Sequence, residues 1–295
     1  MRILLLIATN FAVLLLASVV LNLLGVGPWL TARGIQFGPL LVIGAVIGFG
    51  GAFVSLLMSK WSAKMAMGVQ VIESPRNETE SWLVSTVRRQ AEAAGIGMPE
   101  VGLFDSPEPN AFATGASRDH ALVAVSTGLL ARMSRSEAEA VVGHEVTHVA
   151  NGDMITLTLI QGVVNTFVFV LSRVIGELAD RLLFRRDGED RGPGIGQFVM
   201  TLVAQVLLSF LATMIVMWFS RRREYRADAG GAKLAGRGAM IGALQALQRA
   251  HGEGLPQQMQ AFGVAGPEKP SGLALLFMSH PPLEDRIAAL QQPAS

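Results

Sequence analysis

The 295-residue chain contains no cysteine. This excludes a disulfide scaffold, a thiolate nucleophile and cysteine metal ligands. Charge is scarce: Asp, Glu, Lys and Arg make up 16% of the residues, where soluble globular chains carry about 25%. The two signs nearly cancel, leaving a formal net charge of +1, so there is no basic field of the kind that gathers nucleic acid. Aromatics are only 6%, with a single tyrosine, and no basic-aromatic alternation replaces that field. Internal repeats and low-complexity tracts are absent. What fills the chain instead is 51% hydrophobic residues and 32 glycines. So much apolar surface must be buried, which excludes disorder. The remaining class is an α-helical membrane protein, with the lipid bilayer as its first partner.

Gaps between charges locate the apolar segments. Ile3–Ala32, Gly34–Ser59, Met154–Ser172 and Gly192–Ser220 contain no Asp, Glu, Lys or Arg. About 20 apolar residues cross the hydrocarbon core as a helix, so four hydrophobic helices are expected: Leu4–Leu24, Leu40–Met58, Ile155–Ser172 and Phe198–Phe219. The first is too long for the apolar core of a cleaved signal peptide, about 7–15 residues. The third carries Thr156, Thr158, Gln161 and Asn165, which also suits an interfacial or protein-buried helix. Arg2, Lys60, Lys64 and Arg221–Arg223 place the N-terminus and both polar segments in the cytoplasm. The arginines between the third and fourth segments fit that orientation poorly.

The chain therefore divides into residues 1–59 with two membrane helices, a polar segment 60–153, a hydrophobic hairpin 154–220, membrane-crossing or membrane-associated, and a polar segment 221–295. In the first polar segment, Trp82, Leu83, Val87 and Ala91 recur at helical spacing over Glu78–Ala94. Strand-like runs follow at Val101–Phe104, Ala111–Thr114 and Ala121–Ser126. Ser134 and Glu137 form a capping box that opens a helix, and Asn151-Gly152 ends it. The result is a small α+β domain. The second polar segment reads as mostly helical, with a loop at Gly252–Pro270.

Inside the helix after Ser134 stands His144-Glu145-Val146-Thr147-His148. Residues four apart share one helical face, so two imidazoles converge on one ion. Glu145 beside them can take a proton from a water that the ion acidifies, as that water attacks a polarised carbonyl. The competing explanation is two buried histidines on an ordinary helix, and with five histidines in the chain this spacing is a rare coincidence. A catalytic zinc needs a third protein ligand. Glu224–Asp228 is expected to start a helix directly after the fourth apolar segment, and Glu224 and Asp228 are also four apart: one can bind metal while the other orients a ligand imidazole. Alone, they would read as a solvated charge cluster after three arginines.

His144–Asp153, Glu224-Tyr-Arg-Ala-Asp228, Asn110-Ala-Phe-Ala113 and Ser279-His-Pro-Pro282 with Arg286, together with two N-terminal apolar segments, resemble the HtpX-type membrane zinc metalloproteases. The resemblance covers nearly the whole chain. It implies a zincin fold of the glutamate-ligand type (gluzincin) and one Zn2+ per chain, held by His144, His148 and Glu224. Glu145 is then the general base. It also implies proteolysis of damaged or misassembled membrane proteins, or unfolded polypeptides, in stress-linked quality control at the bacterial cytoplasmic (inner) membrane, with the site facing the cytoplasm. Relatives include eukaryotic prenyl-protein endoproteases, whose activity is the nearest alternative. Homo-oligomers are compatible with it.

Other residues carry weaker signals. Asn110, Ala111 and Phe112 suit either an edge strand that pairs with substrate or an ordinary strand, and the resemblance favours substrate contact. His280, before two prolines, can stabilise an oxyanion or simply precede a helix over Pro281–Leu290. Arg286 can hold a site carboxylate or substrate. Asp153 either supports the site or marks a polar boundary. A non-enzymatic membrane scaffold would not need Glu145, and a transporter is disfavoured because no apolar segment contains a charge.

Overall fold

The computed structural model describes residues 36–184, 195–252 and 276–292. Its elements run α1 (Phe37–Met67), β1 (Gln70–Val71), α2 (Glu78–Ala94), β2 (Glu100–Phe104), β3 (Ala111–Thr114), β4 (Leu122–Ser126), α3 (Thr127–Arg132), α4 (Arg135–Asn151), α5 (Asp153–Phe184), α6 (Ile195–Ala235), α7 (Arg237–Gly252) and α8 (Leu283–Gln291). The chain is mostly helical, with one small sheet. Two compact units emerge. One takes the described residues of Met1–Ser55 and Thr156–Val216, the other those of Leu56–Ile155 and Met217–Ser295.

The first unit is built from apolar helices. Three helices among the described residues are long and apolar enough to cross a bilayer: Gly38–Met67, Asp153–Asp180 and Ile195–Ala235, with mean hydropathies of 2.4, 2.0 and 2.3. They contain the expected segments Leu40–Met58, Ile155–Ser172 and Phe198–Phe219. The expected segment Leu4–Leu24 lies outside the described residues, as does nearly all of the expected loop Gly252–Pro270. Small residues let these helices approach closely, as in lipid, where packing rather than hydrophobicity drives association. A side chain at Gly48 would meet the Thr166 backbone nitrogen at 2.7 Å, and one at Gly176 would meet Thr201 Oγ1 at 2.0 Å.

The second unit holds a four-stranded sheet ordered β1-β2-β4-β3. β2 and β4 are parallel, with Val101 beside Val123, while β1 and β3 flank them antiparallel. The two-residue β1 is not expected from sequence, being too short to show alternation. β4 is buried along its whole length, and β3 forms the edge beside it, opposite β1. Against one face of the sheet Leu83, Val87, Val123, Val125, Leu129, Val142, Val146 and Leu244 make a fully buried core. Each such side chain contributes about 1.5–3 kcal/mol when removed from water. Lys60 and Lys64 at the end of α1 both pair with Glu100 of β2, at 2.7 and 2.5 Å.

Helix ends follow local chemistry. Asn77 caps α2 by accepting from the Glu80 N–H, and Gly95 closes it in the left-handed region. Ser134 and Glu137 form the full capping box of α4, and Gly152, at φ 70°, returns its N–H to the His148 and Val149 carbonyls. One expectation is corrected: Glu224–Asp228 does not start a helix. It lies within α6, which runs unbroken from the apolar segment. No Pro or Gly interrupts residues 219–229, and backbone hydrogen bonding is indifferent to the switch from apolar to charged side chains.

Candidate active site

α4 is the central helix of the second unit, and it is buried on nearly every side: Ala140, Val142, Gly143, His144, Val146, Thr147 and Val149 are all enclosed. The Gln90 amide of α2 donates to the Glu139 carbonyl at 2.9 Å. α6 comes against α4 through glycines. A side chain at Gly230 would meet Thr147 Cγ2 at 2.2 Å, and one at Gly231 would meet the His144 backbone nitrogen at 3.0 Å. Residues 224, 227, 228 and 231 share one face of α6. Close approach at the glycines therefore brings Glu224 and Asp228 onto the two histidines.

The resulting cluster is tight. His144 Nε2 and His148 Nε2 are 3.1 Å apart. The Glu224 carboxylate lies 3.4 Å from the first and 3.3 Å from the second. The other nitrogen of each ring is taken by a carboxylate: His144 Nδ1 is 2.9 Å from Asp228 Oδ1, and His148 Nδ1 is 2.6 Å from Asp153 Oδ2. Arg286 of α8 donates from Nε and Nη2 to both oxygens of Asp228, at 2.8 and 2.5 Å. His280 Nδ1 is 2.7 Å from Glu224 Oε2, with its side chain largely exposed. Glu145 is half-buried on the same helix.

Electrostatics follow from this. Burial of His144 opposes its charged form, but hydrogen bonds to Asp228 and Glu224 outweigh burial and raise its pKa. His148 is opposed by burial in the same way, and Asp153 and Glu224 push it up to about 9. Burial likewise opposes the Arg286 charge, and Asp228 more than restores it.

The donor set fits a divalent metal. With both Nδ1 atoms held by carboxylates, the Nε2 atoms face one another and Glu224, and two N–H groups cannot point at each other across 3.1 Å. Ligand atoms about 2.0–2.1 Å from a tetrahedral ion sit about 3.3 Å apart, which matches the three edges seen here. His144, His148 and Glu224 are the group of such residues able to hold an ion among the described residues.

The remaining sequence candidates lie as follows. Ala111 and Ala113 of β3 face the main core, while the Phe112 ring packs on the other side of the sheet, 5.5 Å from Phe104. Asn110 is exposed, and its backbone N–H donates to Ser126 Oγ at 2.9 Å. Sequence reasoning misses Arg223, whose Nη1 donates to the Asp153 carbonyl at 3.1 Å and whose Nη2 reaches Ser220 Oγ at 3.1 Å. In the sequence it reads only as a topogenic charge. The glycine contacts are missed too, although adjacent Gly230-Gly231 inside a helical pattern is a legible signal.

Residues 77–294 match the model of peptidase family M48. A protease HtpX homolog of Thiobacillus denitrificans is 61% identical over 290 residues, 98% of each chain. Protease HtpX of Nitrosococcus oceani is 57% identical over 292 residues, again 98% of each. Among solved structures, that of Ste24p from S. mikatae aligns with a TM-score of 0.62 at 17% identity, covering 95% of this chain and 67% of that one. The family match, the identities and the three apolar helices together make this chain an integral membrane metalloprotease, and it belongs to peptidase family M48.

Proposed function

We propose that the protein is a zinc endopeptidase of the bacterial cytoplasmic membrane. Its site faces the cytoplasm, and it removes damaged or misassembled membrane proteins. The observation that carries this reading is the three-donor cluster of His144, His148 and Glu224 with Glu145 beside it on the same helix. Residues 60–153 and 221–295 form one zincin-type catalytic domain of the glutamate-ligand class. Residues 1–59 and 154–220 anchor it in the bilayer, the fourth apolar helix being Leu4–Leu24.

His144 and His148 would hold one zinc ion through Nε2, and Glu224 through its carboxylate. The ion supplies Lewis acidity that makes a water nucleophilic near neutral pH and polarises a peptide carbonyl. Asp228 and Asp153 fix the two imidazoles by their Nδ1 atoms, so the rings need no reorientation during the reaction. Glu145 takes a proton from the attacking water and returns it to the leaving amine. Arg286 keeps Asp228 charged and aimed. His280, exposed at the cluster's edge, is placed to donate to the developing oxyanion. β3, at one edge of the sheet, offers the outward-pointing backbone groups of Ala111, between Asn110 and Phe112, to an extended substrate.

The test is substrate trapping. Glu145→Gln, expressed in its host and crosslinked in intact membranes, is expected to retain membrane proteins, with more of them after heat stress. A catch confined to prenylated polypeptides would favour the prenyl-protein reading instead.

A further inference from the structure

The first unit contains a cavity of about 590 Å3 whose walls include Gln36, Leu40, Ile43, Arg173, Glu177 and Leu202. Its two charged residues lie on α5 four positions apart, on one helical face. The Arg173 guanidinium stacks over the Phe169 ring, 3.4 Å from its centroid, and spends one N–H on the Phe169 carbonyl at 3.4 Å. Arginine has five such donors, and among the described residues no carboxylate lies within ion-pairing distance of this one. The Glu177 carboxylate accepts from the Gln197 amide at 2.6 Å, which fixes its position.

Depth indicates what this pair meets. Arg173 follows the 19-residue charge-free run Met154–Ser172. At 1.5 Å per residue that run is ~28 Å long, close to the hydrocarbon thickness of ~30 Å. Arg173 and Glu177 therefore stand at headgroup level, where long basic side chains settle in membranes. The other walls continue inward: Leu40 and Ile43 follow Gln36 by one and two turns of α1, and Leu202 follows Gln197 along α6. A cation and an anion about one helical turn apart, above an apolar cleft, complement the phosphate and the ammonium of one amphiphile.

We propose that this cavity is a binding site for an amine-bearing glycerophospholipid such as phosphatidylethanolamine. The phosphate takes the unused N–H groups of Arg173, the ammonium donates to Glu177, and an acyl chain lies along Leu40, Ile43 and Leu202. A phosphate opposite arginine forms charge-assisted, often bidentate bonds. A quaternary choline headgroup has no N–H to give Glu177, and a glycerol headgroup has no cation, so the site selects the primary amine. The inference is independent of the protease reading.

The test uses the full-length protein, stripped of lipid by detergent exchange and returned to defined phosphatidylethanolamine, phosphatidylglycerol or phosphatidylcholine. Bound lipid is counted by native mass spectrometry. The expected result is about one phosphatidylethanolamine per chain, retained roughly tenfold better than either other lipid. Arg173→Gln loses that retention, Arg173→Lys keeps most of it, and Glu177→Gln binds the amine and choline lipids alike. Water-soluble glycerophosphoethanolamine at equal concentration does not displace the lipid. Equal retention of all three lipids by the wild type overturns the proposal, as does Arg173→Gln behaving like the wild type, or displacement by the soluble headgroup. The wild-type comparison decides even if Arg173→Gln does not fold.

Discussion

Arg286 grips both oxygens of Asp228, and Asp228 in turn holds His144 Nδ1 at 2.9 Å. Three helices, α8, α6 and α4, meet in this one chain of contacts. Replacing Asp228 with Asn keeps the size and removes the charge that fixes the imidazole. Zinc affinity is expected to fall about 10–100-fold, measured by competition with a chromophoric chelator. Arg286→Gln leaves a buried carboxylate without its partner and is expected to cost about 3–5 kcal/mol of stability, read from thermal unfolding. Unchanged zinc affinity in the Asp228 variant would remove the orienting role.

Protons compete with metal at this cluster. In the metal-free protein, carboxylate partners raise both imidazoles, His148 to about 9. A raised histidine stabilises the metal-free fold below its ordinary pKa of about 6.5, and that contribution is lost as pH rises through about 9. Metal requires neutral imidazole. Binding near pH 7.5 should therefore release about one proton from His148, and affinity should rise with pH up to about 9. Calorimetric zinc titration of chelator-stripped protein, in two buffers of different ionisation enthalpy, measures this release. Identical heats in the two buffers would contradict it.

The contact of Gly230 with Thr147 sets the distance between α6 and α4. Gly230→Val is expected to force the helices apart, costing at least about 1–3 kcal/mol and weakening metal binding at the same time. Gly238, by contrast, has open space where a methyl group would sit, with nothing within 4 Å. Gly238→Ala should therefore be neutral or stabilising by about 0.5 kcal/mol. Equal behaviour of the two variants in unfolding and in zinc affinity would show that the close approach is not needed.

Much of this is legible in sequence because the signals are local. Ser134 and Glu137 announce the start of α4 and Gly152 its end, and the spacing within His144–His148 implies a shared face by helix geometry alone. Charge-free runs locate three of the apolar helices without reference to packing. What is not legible depends on tertiary context. β1 exists because Gln70 and Val71 find β2, not because two residues prefer a strand. The unbroken α6 is hidden by its change of polarity at Arg221. Arg223 looks like a membrane-orienting charge, and only the fold shows it donating to the Asp153 carbonyl. Arg173 and Glu177, just past an apolar run, resemble a boundary, yet α5 continues to Phe184.

The most direct measurement combines bound metal with proteolysis in detergent-purified wild type, Glu145→Gln and Glu224→Ala. Unfolded casein serves as substrate. The expected result is about one zinc per chain in wild type and in Glu145→Gln, cleavage by wild type alone, and weakened zinc binding in Glu224→Ala. Chelation should abolish wild-type cleavage, and added zinc should restore it. Casein cleavage retained by Glu145→Gln, or no zinc taken up by the wild type, would contradict the account of this site.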